Sequence, residues 1–484
     1  MIEQNLRVLF LAAEATPFVK IGGLGDVAGT LPQALRALPA APDVRLVLPL
    51  HAAINKDDYA LSPVAAFNIA YSDGPMRAEV FETVVDGLPV YLIAGTPITA
   101  DAPVYSPDAA VDGVKYTFFS LAALELARIL SWQPEIVHAQ DWHAAPAVYA
   151  VGMRRAQDVY YRQTGTLLTV HNLPYLGNGA QDALRAFGLP AAEHSTLPDW
   201  AWHMPLPLGL LSADKINTVS PGYAAELLTP EFGSGLHDFL ATRQEDISGI
   251  LNGLDMTVWD PHNDSHLPVN YDQSELAERV ENKRWLQDEL NFAVNPSIPL
   301  LSIVSRMDSQ KGIDLALAGL RLVAERPWRL VILGTGDPVL EEQARQLGRE
   351  FPNRVRILMR FDEGLARRIY AGADMILIPS RYEPCGLTQM IGMRYGCVPI
   401  GRAVGGLRDT IIDYDADREE STGFLFTEAA PEALAAAIER ALGVFFEKRA
   451  WRGLQMRGMR EDFSWVLSAE KYYALYQSIM TAKF

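Results

Sequence analysis

The chain has 484 residues, 49% hydrophobic and 21% charged, more than one ordinary core accommodates and too apolar for a disordered majority, so two domains are expected. A formal net charge of −17 argues against nucleic acid or an anionic membrane as partner, and any anionic ligand has to meet a local cationic pocket. Cys385 and Cys397 are too few for a disulfide framework and read as reduced thiols of a cytoplasmic protein, and no apolar run reaches the roughly 18 residues that span a bilayer.

Residues 7–13 are an apolar run of strand length ending at Glu14, too short and wrongly flanked for a signal peptide. A glycine-rich segment, KIGGLGDV at 20–27, leads into the helix-period pattern LPQALRAL and a second apolar run from Val44 to Leu50. That order begins a parallel βαβ sheet. The glycines let backbone N–H groups approach an anion at the positive end of the next helix, and Lys20 adds a charge. A tight turn without ligand fits the same residues, and the GxGxxG fingerprint is not matched. The rhythm continues as strand EIVHA, helix AAPAVYAVGMRRA and strand TLLTV, so the N-terminal half reads as doubly wound α/β. At the ends of those two strands stand Asp141, Trp142, His143, His171 and Asn172. Rings and amides there suit sugar recognition; the histidines lack metal-ligand spacing, and no metal is expected.

Turn formers Asn252, Gly253 and Pro261 put a domain boundary within 247–265, dividing the chain into 1–250 and 251–462. A second parallel sheet starts near residue 299. Arg306 and Lys311 follow its first strand, PLLSI, where open parallel sheets bind ligands. Two such cations suit a diphosphate, and equally a solvated loop. GTGDP at 334–338 offers a dinucleotide reading, but without the third glycine or a helix opening directly after it. After the strand MILIPS, Glu383 lies at a strand end, Gly386 to Gln389 open a helix, and Gly405 and Gly406 make a nest-like loop. Glu383 also fits a plain helix N-terminal carboxylate, and Cys385 a small buried residue. Residues 463–484, with Trp465, Tyr472, Tyr473 and Tyr476, read as an amphipathic helix returning to the N-terminal domain.

Together these segments resemble the bacterial glycogen synthase and plant starch synthase family. The resemblance rests on six motifs in order: the lysine loop at Lys20 to Val27, DWH at Asp141 to His143, VHN at Val170 to Asn172, NG.D...WDP at Asn252 to Pro261, SR...QKG at Ser305 to Gly312, and SR.EPCGL.Q at Ser380 to Gln389. It implies a GT-B fold, two Rossmann-like domains facing across a cleft, with an acceptor-side N-terminal domain and a nucleotide-sugar-binding C-terminal domain. The implied reaction moves glucose from ADP-glucose to the non-reducing end of an α-1,4-glucan with retention, releasing ADP, without metal or cofactor.

By motif position the resemblance makes Lys20, Arg306 and Lys311 diphosphate contacts, and Gly22, Gly23, Gly405 and Gly406 backbone donors. His171 lies against the donor glucose, Glu383 near the reacting sugar, and Asp141, Asn172 and Asn252 beside it. Phe361 stacks on the nucleobase, and Cys385, Gly386 and Leu387 line the donor. Glu14, Asp26, Trp142 and His143 belong to the acceptor side. Ile21 and Val404 stand where threonines are usual, and Arg360 where glycine is common, which leaves adenine or uracil open. A non-catalytic glucan-binding protein is the competing class, and the intact Lys20, His171, Arg306, Lys311 and Glu383 speak against it.

Overall fold

A computed structural model describes residues 5–99, 101 and 103–483. Residues 1–4, at the start of the expected first domain, and Phe484, at the end of the expected terminal helix, lie outside the described residues, as do Ala100 and Ala102. The chain forms two compact units, Met1–Gly253 with Trp465–Phe484, and Leu254–Ser464.

The first unit is built on nine strands: β1 (Arg7–Leu11), β2 (Asp43–Pro49), β3 (Ser62–Ile69), β4 (Met76–Val85), β5 (Leu88–Gly95), β6 (Ile136–Gln140), β7 (Gly165–Val170), β8 (Lys215–Thr218) and β9 (Ile247–Gly249), in the order β3-β4-β5-β2-β1-β6-β7-β8-β9. From β5 to β9 every pairing is parallel. At the other end β3, β4 and β5 form an antiparallel meander, which departs from the all-parallel expectation. Its cause is local: Asp86 and Gly87 take φ of 50° and 79°, the two-residue turn whose twist matches a hairpin. The strand order reverses between β1 and β6, and open sheets bind ligands at the carboxyl ends flanking such a reversal.

Helix Trp465–Thr481 closes this unit. Tyr472 and Tyr476 are fully buried, and their hydroxyls enter a polar network beneath the sheet. His138 on β6 bridges the Tyr476 hydroxyl and Thr169 Oγ1 of β7, both at 2.8 Å, while Asn217 on β8 donates to the Tyr472 hydroxyl at 2.9 Å. One helix thus holds three strands, and the carboxyl ends of two of them, β6 and β7, carry motif residues.

The second unit contains β10 (Leu300–Val304), β11 (Arg329–Leu333), β12 (Val355–Leu358), β13 (Met375–Ile378), β14 (Val398–Arg402) and β15 (Phe424–Phe426). All pairings are parallel, and the order β12-β11-β10-β13-β14-β15 is the Rossmann order, reversing between β10 and β13. Leu301, Ile303, Ile332, Met375 and Ile400 form the centre of its core. The WDP segment is fastened within this unit. The Arg367 guanidinium lies 4.2 Å from the Trp259 ring centre, Asp260 pairs with Arg394 at 2.8 Å, and Asp264 accepts from the Tyr395 hydroxyl at 2.6 Å.

The GTGDP turn is explained by packing. An added Cβ at Gly334 would lie 1.8 Å from Ser305 O, and one at Gly336 2.3 Å from Met307 O. Contrary to expectation a helix does open directly after it, Pro338–Glu350, capped by Asp337. Both thiols are free and buried, and among the described residues no helix is long and apolar enough to cross a membrane.

Replacing Tyr476 by Phe leaves a buried His138 nitrogen without its partner, so Tyr476→Phe should lower stability by about 1–3 kcal/mol, read as a lower urea midpoint for the transition of the first unit.

Candidate active site

In the first unit the reversal places the ends of β1 and β6 side by side. Glu14, just beyond β1, is buried. Its carboxylate accepts the N–H groups of Ile21 and Gly22, the latter at 3.1 and 3.2 Å, and the Tyr105 hydroxyl at 3.0 Å. Burial raises its carboxyl pKa, and the two backbone bonds oppose the rise. The glycine-rich segment is only partly a loop, since helix Gly23–Arg36 begins within it. Lys20 pairs with Asp26 at 2.7 Å. An added Cβ at Gly23 would meet nothing within 4 Å, so neither packing nor backbone conformation requires glycine there.

No loop separates β6 from the next helix, Asp141–Arg154. Asp141 makes the turn itself with φ of 54°, a left-handed conformation uncommon outside glycine and a sign of a constrained junction. Its carboxylate accepts the His171 N–H at 2.7 Å, and burial pushes it up to about 7. The His171 ring is 2.8 Å from Gln140 Oε1, and burial lowers its pKa to about 3, so it is neutral near pH 7. Asn172 Oδ1 and Asn252 Oδ1 are buried and find no hydrogen-bond partner among the described residues.

Trp142 and His143 follow Asp141 directly. Because the helix starts at Asp141, both fall in its first turn and face inward, with 9% and 8% exposure. Their rings pack on each other at 4.3 Å and on Tyr116 at 5.4 and 4.5 Å. The two rings support the residues that precede them, and His143 Nδ1 finds no hydrogen-bond partner among the described residues.

In the second unit the loops after β10 and β13 meet across the reversal. Lys311 Nζ lies 2.8 and 2.7 Å from the two carboxylate oxygens of Glu383, which is buried and also accepts the Ser380 hydroxyl at 2.8 Å. Gly312 makes this approach possible: its φ is 64°, and an added Cβ would stand 2.0 Å from Pro379 O. Arg306 is 62% exposed, its guanidinium 3.4 Å from Asp308. Phe361 is 87% exposed, an unusual position for a large ring.

Two expectations change here. Gly406 donates its N–H to Glu383 O at 3.0 Å, and an added Cβ would fall 2.0 Å from Cys385 O, so this glycine joins two loops and is no anion donor. The helix expected from Gly386 begins at Thr388, with Gly386 in the preceding turn at φ of 74° and Leu387 as its cap. Cys385 is buried, and its carbonyl accepts from Gln389. Gly405, at φ of 40°, opens helix Gly405–Thr410. Sequence reasoning missed Tyr105, Gln140, Ser380 and Asp308. Gln140 adjoins a motif already singled out and Ser380 and Asp308 lie inside two others, whereas Tyr105 stands in a segment with no pattern.

The comparisons with known proteins agree with this geometry. Residues 7–242 match the family model described as the starch synthase catalytic domain, and 298–443 match glycosyl transferases group 1. The chain is 41% identical over 480 residues to a glycogen synthase of Anaeromyxobacter dehalogenans (strain 2CP-C), covering 98% of this chain and 100% of the relative. The chain belongs to the glycogen synthase and starch synthase family. It is a glycosyltransferase, and the dinucleotide reading of GTGDP falls away. Another member, from Thermotoga maritima, is 37% identical over 487 residues, covering 98% of this chain and 99% of its own length. A solved structure of the same family, the catalytic domain of Starch Synthase IV from Arabidopsis thaliana bound to ADP and acarbose, superposes with a TM-score of 0.88 at 30% identity. It covers 99% of this chain and 100% of that one, and the fold is of the GT-B type.

The raised carboxyl of Asp141 has a pH signature. Its folded value exceeds its unfolded value, so the folded state binds the extra proton between about 4 and 7 and loses stability as pH rises through that window. Asp141→Asn, which keeps an acceptor for the His171 N–H, should therefore gain in thermal midpoint relative to the parent between pH 5 and pH 8. A pH-independent difference would exclude the buried charge as cause.

Proposed function

We propose that this family member is a cytoplasmic, retaining glycogen synthase that takes glucose from ADP-glucose and adds it to the non-reducing end of an α-1,4-glucan, with no metal or cofactor. The observation that carries the reading is the Lys311–Glu383 pair beside exposed Arg306 at the strand-order reversal of the second unit. Adenine as the base rests on the ADP held by the plant relative.

Arg306 and Lys311 bind the diphosphate and stabilise the charge that grows on it as the glycosidic bond breaks. Lys20, with a backbone donor at Gly23, is likewise an anion contact, while the Gly22 N–H is held by Glu14. The open space over Gly23 suits such an approach. As the leaving group departs, the sugar becomes positively charged. The Glu383 carboxylate offsets that charge, and the neutral His171 ring adds no competing one. The acceptor 4-hydroxyl attacks from the face the diphosphate leaves and passes its proton to a departing phosphate oxygen, which gives retention. Asn172 and Asn252 bring to the sugar hydroxyls acceptor oxygens left unsatisfied among the described residues. The bare ring of Phe361 stacks on the base, while Glu14 and Asp26 shape the lysine loop and the acceptor side.

Lys311→Ala and Glu383→Ala should each lower kcat by about 10²–10³-fold at saturating donor, measured as nucleoside diphosphate released with glycogen as acceptor. Near-normal turnover in both would remove them from the mechanism. Phe361→Ala should raise donor KM by roughly tenfold or more with kcat little changed, as the loss of a base stack predicts. A panel of ADP-glucose and UDP-glucose on long and short maltooligosaccharides tests the base, and product anomer analysis by NMR tests retention.

A further inference from the structure

We propose that Asp308 is a charge-selective residue of the donor site, which keeps the nucleoside diphosphate left after transfer from outcompeting the nucleotide sugar. The inference rests on the donor site assigned above. Asp308 falls in the unspecified part of the SR...QKG motif, between the two cations. Its carboxylate is held in place from both sides: Oδ1 accepts the Lys311 backbone N–H at 3.0 Å, and Oδ2 lies 3.4 Å from Arg306 Nη1. The side chain is 32% exposed, so its charge acts on whatever anion approaches the loop.

With Asp308 present the cluster holds two cations, Arg306 and Lys311, and two carboxylates, Asp308 and Glu383. Its formal charge is zero at the assigned diphosphate site, and the further cation assigned to the anion, Lys20, is itself paired with Asp26. Recognition there depends on directed N–H bonds more than on excess charge. That matters because the two ligands differ in charge. Each phosphate of a nucleotide sugar has one ester and one anhydride bond and so carries a single charge. The free nucleoside diphosphate carries a terminal phosphate whose second ionisation falls near pH 6, and so has roughly one further negative charge near neutrality. A cluster of net positive charge would prefer the product by that extra Coulomb attraction, whereas a neutral one gives it little advantage.

The test is Asp308→Asn, which can still accept the Lys311 N–H, alongside Asp308→Ser, which offers a hydroxyl to the same group. The inhibition constant for ADP should fall by about fivefold, the KM for the nucleotide sugar should fall less, and the effect should shrink at high ionic strength. A structural role alone would move both constants together and would not respond to salt. An unchanged ratio of the ADP inhibition constant to donor KM in both variants overturns the inference. Absence of glucosyl transfer by the parent protein from any nucleotide sugar overturns the donor-site assignment instead.

Discussion

A buried carboxylate that meets a lysine across a strand-order reversal organises the second unit. Taking Glu383 out of water is unfavourable by several kcal/mol unless its oxygens are matched, and Lys311 and Ser380 match them. The matching demands that the loops after β10 and β13 come closer than side chains normally allow. Glycine supplies the room at Gly312, where a Cβ would strike Pro379 O, and Gly406, where it would strike Cys385 O, lets the segment after β14 close on the loop after β13. Gly312 is thus the steric condition for the ion pair. The pair in turn leaves the Lys311 charge matched by that of Glu383.

The first unit solves the same problem with backbone donors. Glu14 is held by the N–H groups of Ile21 and Gly22, and Asp141 by that of His171. Each of these carboxylates fixes the start of a following segment: the lysine loop in one case, the VHN loop in the other. Such bonds set loop geometry without a second side-chain charge. Burial alone keeps the His171 imidazole neutral by disfavouring its charged form.

How much of this was legible depended on whether a residue acts through its neighbours in sequence or in space. Central parallel strands were readable because buried runs such as VLFLAA and MILIPS need only their own apolarity. The β3–β4–β5 meander was missed although Asp86 and Gly87 carry the hairpin signal, because those strands are half exposed and break the apolar rhythm. Motif positions located Glu383, Lys311, Asp141 and His171 but did not reveal direction. Trp142 and His143 share a motif with Asp141, yet the abrupt start of their helix turns them into the core. Tyr105 reaches Glu14 from 91 residues away, a pairing no local pattern encodes, and the partners of Gly406 likewise exist only after two loops have been folded together.

The placement of helix Trp465–Thr481 also bears on how the protein is made. The second unit is one uninterrupted stretch, Leu254–Ser464, whereas the first needs residues from both ends of the chain. During synthesis the later-translated unit has all its parts on hand before the earlier one does. Until the last helix emerges, His138, Thr169 and Asn217 lack the tyrosines that cover them. The nascent sheet must wait, through the translation of more than two hundred residues, with a polar seam uncovered, the interval in which a holdase chaperone has most to protect.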